Sequence, residues 1–175
     1  RGGRCLHPPA RRVRSWIAAA RQASAQGQFQ EAERLLSQAR SLAPSHPLVV
    51  NDMALRMVNA GEPGKALGLL DPVVAAKPAD PEVWLTFAVA LRQLKRPAEA
   101  LEALEHMLKL DPRNVKALVE KATAEEELDR PRAAVITYRT LLSIIPPGMK
   151  TPQWMDAPLA RGRLGMLLPK GDGRL

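Results

Sequence analysis

The side chains that could ligate a metal, attack a carbonyl or move a proton are three histidines, one cysteine and a scatter of serines and carboxylates. Their spacing decides whether they do. A helical metal site needs ligands four residues apart on one face, and no two of His7, His46 and His106 have that spacing. Cys5 sits in an Arg- and Pro-rich stretch and has no second cysteine to bridge to. The stretch from Asn59 to Ala66 resembles a phosphate-binding loop in its Gly-Lys pair. It lacks the first glycine, has Ala66 where a magnesium-holding hydroxyl belongs, and follows no strand. Ser15, Ser24, Ser37, Ser41, Ser45 and Ser143 have no partner spacing for a nucleophilic triad, and Gly162 with Gly165 makes no dinucleotide fingerprint. Glu125, Glu126 and Glu127 are consecutive, so on a helix they point apart and form a solvated face rather than an acid–base pair. The sequence therefore predicts no catalytic residues, no cofactor and no metal, and so no enzyme.

The elements that would carry these side chains repeat. Pro44, Pro78, Pro112 and Pro146 recur every 34 residues and frame four repeats, 13–46, 47–80, 81–114 and 115–148. Position 8 is Ala20, Ala54, Ala88 and Ala122; position 20 is Ala32, Ala66, Ala100 and Ala134. A small side chain at both places lets two antiparallel helices approach closely. Position 24 is Leu36, Leu70, Leu104 and Tyr138, and position 4 is Trp16, Val50, Trp84 and Leu118. Gly27 and Gly61 follow the first helix of their repeats, where a left-handed cap is wanted, while Lys95 and Asp129 fill that place less favourably, by about 1 kcal/mol. Pro63, Pro97 and Pro131 open second helices, where a missing amide hydrogen costs nothing. The helices are expected at 14–26, 29–42, 47–60, 63–76, 81–94, 97–110, 115–128 and 131–144.

These residues resemble the tetratricopeptide (TPR) family, whose 34-residue pattern carries the same small positions and terminal proline. The resemblance covers 13–148. It implies an all-α fold, a right-handed superhelix of four helix hairpins. Repeat 4 departs from it, with Lys121 and Glu125 at positions 7 and 11, where the other repeats are apolar, and is expected to be the softest. A ninth, capping helix is expected over 151–168, with Thr151 as N-cap, Pro152 first, and Trp154, Leu159, Leu164, Met166 and Leu167 as its apolar side. Residues 1–12 read as a loose basic tail and 169–175 as a loose end.

The resemblance also implies a function: a non-catalytic scaffold that binds a partner protein or peptide in the concave groove lined by the first helices. Family positions 2, 5, 6, 9, 12 and 13 carry over to Arg14, Ile17 and Arg21 in repeat 1, and to Asn51, Asp52, Leu55 and Asn59 in repeat 2. They give Glu82, Leu85, Val89 and Arg92 in repeat 3, and Lys116, Val119, Glu120, Thr123, Glu126 and Glu127 in repeat 4. An Asn amide there can hold a peptide backbone, since it both donates and accepts. The face should run from basic at repeat 1 to acidic at repeat 4. The TPR subclass that clamps acidic chaperone tails is not matched. Ile17, Arg21, Asp52, Glu82 and Thr86 stand at its positions, and Asp52 and Glu82 would repel a carboxylate. More faintly, repeats 3 and 4, ending in YRTLLSIIPP at 138–147, resemble the amino-terminal TPR region of bacterial aspartyl/asparaginyl β-hydroxylase-type proteins. The chain would then be the substrate-presenting part of a larger enzyme of that type, or of a sulfotransferase type, whose catalytic domain lies elsewhere.

Charge narrows the partners. The net charge is +8, but it is unevenly spread. Residues 1–45 hold eight arginines against Glu31 and Glu33, residues 46–148 thirteen basic against fourteen acidic side chains, and residues 149–175 five against two. Basicity at the ends, without a basic stripe interleaved with aromatics, argues against nucleic acid. No apolar run reaches the roughly 20 residues of a membrane span. The stretch 11–25 has a signal-peptide look that Arg21 interrupts, and the repeat accounts for it. A cytoplasmic protein is expected; because the chain begins with Arg it reads as a fragment, so an upstream signal stays open, as does the oligomeric state.

Overall fold

A computed structural model describes residues 9–146 and 148–167, and the side chains of 10–146 and 148–162. Among these residues there is helix and no strand: α1 (Pro9–Ala25), α2 (Phe29–Leu42), α3 (Pro47–Asn59), α4 (Pro63–Ala75), α5 (Pro81–Gln93), α6 (Pro97–Leu110), α7 (Val115–Glu127), α8 (Pro131–Ile144), a 3-10 turn (Gln153–Met155) and α9 (Asp156–Leu167). The eight helices expected from the repeat are all present. The fold is the all-α fold of TPR helix hairpins.

The turns inside the repeats are built alike. Gly27, Gly61, Lys95 and Asp129 all take positive φ, at 75°, 77°, 60° and 54°. One residue later the chain closes the same bond four times: Gln28 N–H to Ala23 O at 2.8 Å, Glu62 to Met57 at 2.8 Å, Arg96 to Leu91 at 3.0 Å and Arg130 to Glu125 at 2.8 Å. This is the Schellman closure, which satisfies carbonyls that a helix end leaves free. The backbone imposes it whether or not the residue is glycine, so Lys95 and Asp129 carry the left-handed penalty. Between repeats, side chains cap the next helix. The His46 imidazole Nδ1 accepts from Leu48 N–H at 3.2 Å, and Asn114 Oδ1 from Ala117 N–H at 3.1 Å.

One helix holds a residue that the pattern did not single out. Pro72 lies inside α4. Its ring denies Gly68 O its helical partner. That face of α4 is solvent-exposed, so water can serve the carbonyl. The helix ends at Ala75, and Lys77 then turns left-handed at φ 50°.

The chain divides into two compact units, Arg1–Thr86 and Phe87–Leu175. In the first unit α1 packs on α2, α3 on α4, and α1 also touches α3. Its core gathers Val13, Ile17, Ala20, Ala32, Leu36 and Val49, with Trp16 and Met53 packed against it. In the second unit α6 packs on α7, α7 on α8 and α8 on α9. Leu118, Ala122, Ala134, Tyr138, Leu141, Met155 and Leu159 form a core cluster there. All eight position-8 and position-20 alanines are buried, as are the position-24 side chains Leu36, Leu70, Leu104 and Tyr138.

The two ends differ from expectation. The tail expected over 1–12 is partly helical: α1 starts at Pro9, whose ring suits a first helical position. The added turn places the Arg12 guanidinium 5.9 Å from the Trp16 ring, a cation–π distance, and Val13 is fully buried. The capping helix exists but starts late. Pro152 is extended and precedes a 3-10 turn, so Thr151 and Pro152 do not open α9. That shift in register turns Trp154 outward, 47% exposed, and sends Met155 into the core in its place, beside Leu159, which is buried as expected. α9 lies so close to α8 that a Cβ on Gly162 would stand 2.9 Å from Leu142 Cδ1 and 3.1 Å from Tyr138 Cβ. Close approach, rather than nucleotide binding, is the reason for that glycine. Cys5, His7, Pro147, residues 169–175 and the side chains of Leu164, Met166 and Leu167 lie outside the described residues.

Candidate functional site

The residues expected to line a groove sit on the first helices α1, α3, α5 and α7. In the first unit they divide into three groups. Ile17 and Asn51 are buried, so the surface they were expected to furnish is missing; Ile17 belongs to the core. Arg14 and Arg21 are exposed but occupied. Arg14 faces Asp80 at 3.5 Å, and the Arg21 guanidinium grips both oxygens of Glu82, which lies 61 residues on. Leu55 and Asn59 remain open, Leu55 with 41% of its surface exposed, and Leu85 is half-buried. Beside Leu55, Arg56 ties Asp52 of its own helix, at 3.2 Å, to Glu33 of α2, at 2.8 Å.

Asn51 is the anomaly of this face. It is 1% exposed, and its Oδ1 has no hydrogen-bond partner. A buried acceptor left unmatched costs about 1–3 kcal/mol, which native cores rarely tolerate without a reason.

In the second unit Arg92 sits between two carboxylates, Glu120 at 2.8 Å and Glu127 at 2.7 Å. Burial alone would weaken its hold on the proton, but Glu120 and Glu127 outweigh it and raise its pKa further. Glu126 pairs with Arg161 of α9 at 3.0 Å, and Arg161 also donates to the Tyr138 hydroxyl at 3.1 Å. Thr123 turns its hydroxyl back to Val119 O at 2.9 Å, a bond inside its own helix. Val89 is half-buried and Lys116 exposed.

The glutamate run does not form the solvated face that the sequence suggested. Its three carboxylates point apart, as helix geometry requires, but each meets a different cation: Glu125 Lys121, Glu126 Arg161 and Glu127 Arg92. Glu125 is buried, and Thr137 closes the group. The Thr137 hydroxyl donates to Glu125 Oε2 at 2.7 Å and accepts from Lys121 Nζ at 3.2 Å. Lys121 and Glu125, each a packing fault when read alone, answer one another. The signal was present in the sequence as an i, i+4 pair of opposite charge.

Among the electrostatically tuned side chains of the first unit are Glu33 and His46. Hydrogen bonds from Arg40 and Arg56 hold the Glu33 carboxyl below the usual carboxylate range. Burial lowers the His46 pKa, with Arg14 adding to this and Asp80 opposing it, so the imidazole stays neutral and able to cap α3. Among the described residues no three His, Cys, Asp or Glu side chains gather as metal ligands, and no helix is long and apolar enough to cross a membrane.

Comparison with known families places the arrangement. Two family models described as tetratricopeptide repeat match the chain, over residues 23–89 and 81–124. The chain is a TPR protein. Solved structures agree on the TPR fold. A thermophilic TPR protein of Thermus thermophilus is 16% identical with a TM-score of 0.63, covering 89% of this chain and 81% of that one. MamA from Desulfovibrio magneticus RS-1 is 20% identical with a TM-score of 0.57, covering 78% and 75%. An O-GlcNAc transferase of Thermobaculum terrenum is 21% identical with a TM-score of 0.64, covering 79% of this chain and 27% of that one. No curated protein matches the sequence. At these identities the likeness concerns the TPR fold alone, and TPR repeats as a class serve protein interaction.

Proposed function

We propose that the first-helix faces of this TPR protein bind an extended or helical segment of a partner protein. The observation that carries the reading is Leu55. A large aliphatic side chain stands 41% exposed on α3, with Asn59 open one turn further on and paired charges around it. An apolar contact rimmed by polar groups is the anatomy of a recognition surface. In the second unit the corresponding surface is Val89, Arg92, Lys116, Thr123 and Glu126, where Arg92 and Glu126 already hold internal partners. Without exposed aromatic anchors on these faces, binding should be modest, and its exposed charges should make it salt-sensitive.

The test is capture of partners from the source lysate by wild type and by a Leu55→Asp, Asn59→Ala double variant. Loss of specific partners supports the reading. Partners that survive the double variant but are lost on changing the outward faces of α4 and α6 would defeat it. A second reading is that the chain presents substrate within a larger hydroxylase- or sulfotransferase-type enzyme. It draws on the proline break at Pro146 and the further helix α9. A catalytic domain encoded beyond Leu175 would establish it.

A further inference from the structure

In a stack of repeats each unit touches chiefly its neighbours. The Arg21–Glu82 pair breaks that rule, since it joins the first helix of repeat 1, α1, to the first helix of repeat 3, α5. Arg14, on α1 as well, lies 3.5 Å from Asp80, the last residue of repeat 2 and the one directly before α5. Arg14 and Arg21 are seven residues apart, two turns or about 10 Å along one face of the helix. The start of α5 is therefore held between two cations of a helix two repeats away. The first helix of the repeat in between is α3, which touches α1 and carries the open Leu55 and Asn59. Other ion pairs of this unit are shorter in reach: Arg34–Glu31 lies within α2, and Arg56–Glu33 joins neighbouring repeats.

We propose that the Arg14–Asp80 and Arg21–Glu82 pairs form an ionic strap that sets the curvature of the first unit. Contacts between neighbours fix each step of a solenoid, whereas a tie across two steps resists their unbending together. Closed, the strap draws α1 and the start of α5 towards each other. Open, it lets them move apart on either side of α3. The strap is built to open. Arg21 and Glu82 are about half exposed, at 45% and 46%, and exposed ion pairs hold weakly and are screened by salt. Once released, neither arginine has a carboxylate on its own helix to turn to, because α1 contains no Asp or Glu. The open state therefore presents two unpaired guanidinium groups, and a charged segment of a partner competes with the strap as salt does. As a gate on partner binding this rests on reading the first-helix face as the partner surface; the strap itself does not depend on that reading.

The experiment measures the distance that the strap controls. Spin labels are placed in the full chain at two exposed positions, Ser24→Cys on α1 and Ala79→Cys before α5, with Cys5→Ser removing the native thiol. Their separation is read by pulsed electron resonance between about 0.01 M and 1 M salt, over which the screening length falls from about 30 Å to about 3 Å. At low salt the labels should report one short distance, and at high salt a longer one should grow in. Arg21→Gln and Glu82→Gln should each lower the ratio of short to long by roughly fivefold at low salt, the upper end for an exposed pair. The exchange Arg21→Glu with Glu82→Arg should restore the short distance and its salt response. Arg34→Glu, which breaks the pair inside α2, should leave the distance alone. Circular dichroism checks that each variant keeps its helix. A distance indifferent to salt and to Arg21→Gln, an exchange variant that stays open, or an equal response to Arg34→Glu would each overturn the strap. Partners lost from the Leu55→Asp, Asn59→Ala variant alongside any of these results would leave the surface reading standing and remove the strap alone.

Discussion

The α1–α2 hairpin of the first unit and the α7–α8 hairpin of the second share a backbone and little else. Both turn through a left-handed residue, Gly27 or Asp129, and both close on the same carbonyl position at 2.8 Å. Both bury alanine at positions 8 and 20. At position 11, however, the buried residue is Ala23 in one and Glu125 in the other, and position 23 holds a half-buried Leu35 against a buried Thr137. The hairpin accepts either interior because repeat 4 supplies its own counter-charge, Lys121, one turn away on the same helix. Helix crossings fix the small positions; the positions between them need only be internally matched.

The largest expected effect comes from unmatching them. Lys121→Met leaves Glu125 buried without its cation and should destabilise the second unit by about 3 kcal/mol, the lower end of such losses because Lys121 is itself partly exposed. Adding Glu125→Met and Thr137→Leu to it installs the Met53, Met57 and Leu69 set of repeat 2 and should bring stability back to within about 1–2 kcal/mol of wild type. Urea unfolding of the three proteins checks both. A single variant no weaker than the triple would show that the triad does not act as a unit.

Overpacking should cost the two hairpins alike, because the crossing is what they share. Ala20→Leu and Ala122→Leu are each expected to lose about 1–3 kcal/mol. Gly162→Leu belongs with them, since even a Cβ there would meet Leu142 and Tyr138. Thermal melts that leave any of the three unchanged would mean that the register of that crossing is misassigned.

Smaller effects should make the turns converge. Asp129→Gly removes a left-handed penalty and should stabilise by about 0.5–1 kcal/mol, and Gly27→Asp should reverse it by a similar amount; paired urea melts of the two variants check both signs. Packing does not interfere in the first unit, as nothing lies within 4 Å of a Cβ built at Gly27.

The smallest effect separates the caps. Asn114 caps α7 at any pH, whereas His46 caps α3 only when neutral. Its pKa in the folded chain is lowered from 6.5, chiefly by burial, so the unfolded chain takes up the proton first. The cap's contribution is complete above pH 6.5 and is lost as the pH falls below it. His46→Asn should remove that part of the pH dependence. Equal midpoint shifts in wild type and variant on crossing pH 6.5 would rule His46 out as the source.

The sequence alone determined the periodic part of this protein. Proline, alanine and glycine at fixed spacing act through the backbone, by removing an amide, permitting close approach or allowing positive φ, and such effects are local enough to read one position at a time. It also led to the proposal that the first helices face a partner, but not to which of their side chains are exposed. Arg21 and Glu82 are 61 residues apart, and only stacking of the repeats reveals that they neutralise one another. Ile17 and Asn51 share position 5 with Leu85, and the burial of the first two depends on their neighbours in space. Trp154 and Met155 exchanged roles because the extended Pro152 and the 3-10 turn set the phase of α9. Charge pairing, burial and helix phase are properties of contacts between distant segments, and those contacts exist only once the chain has folded.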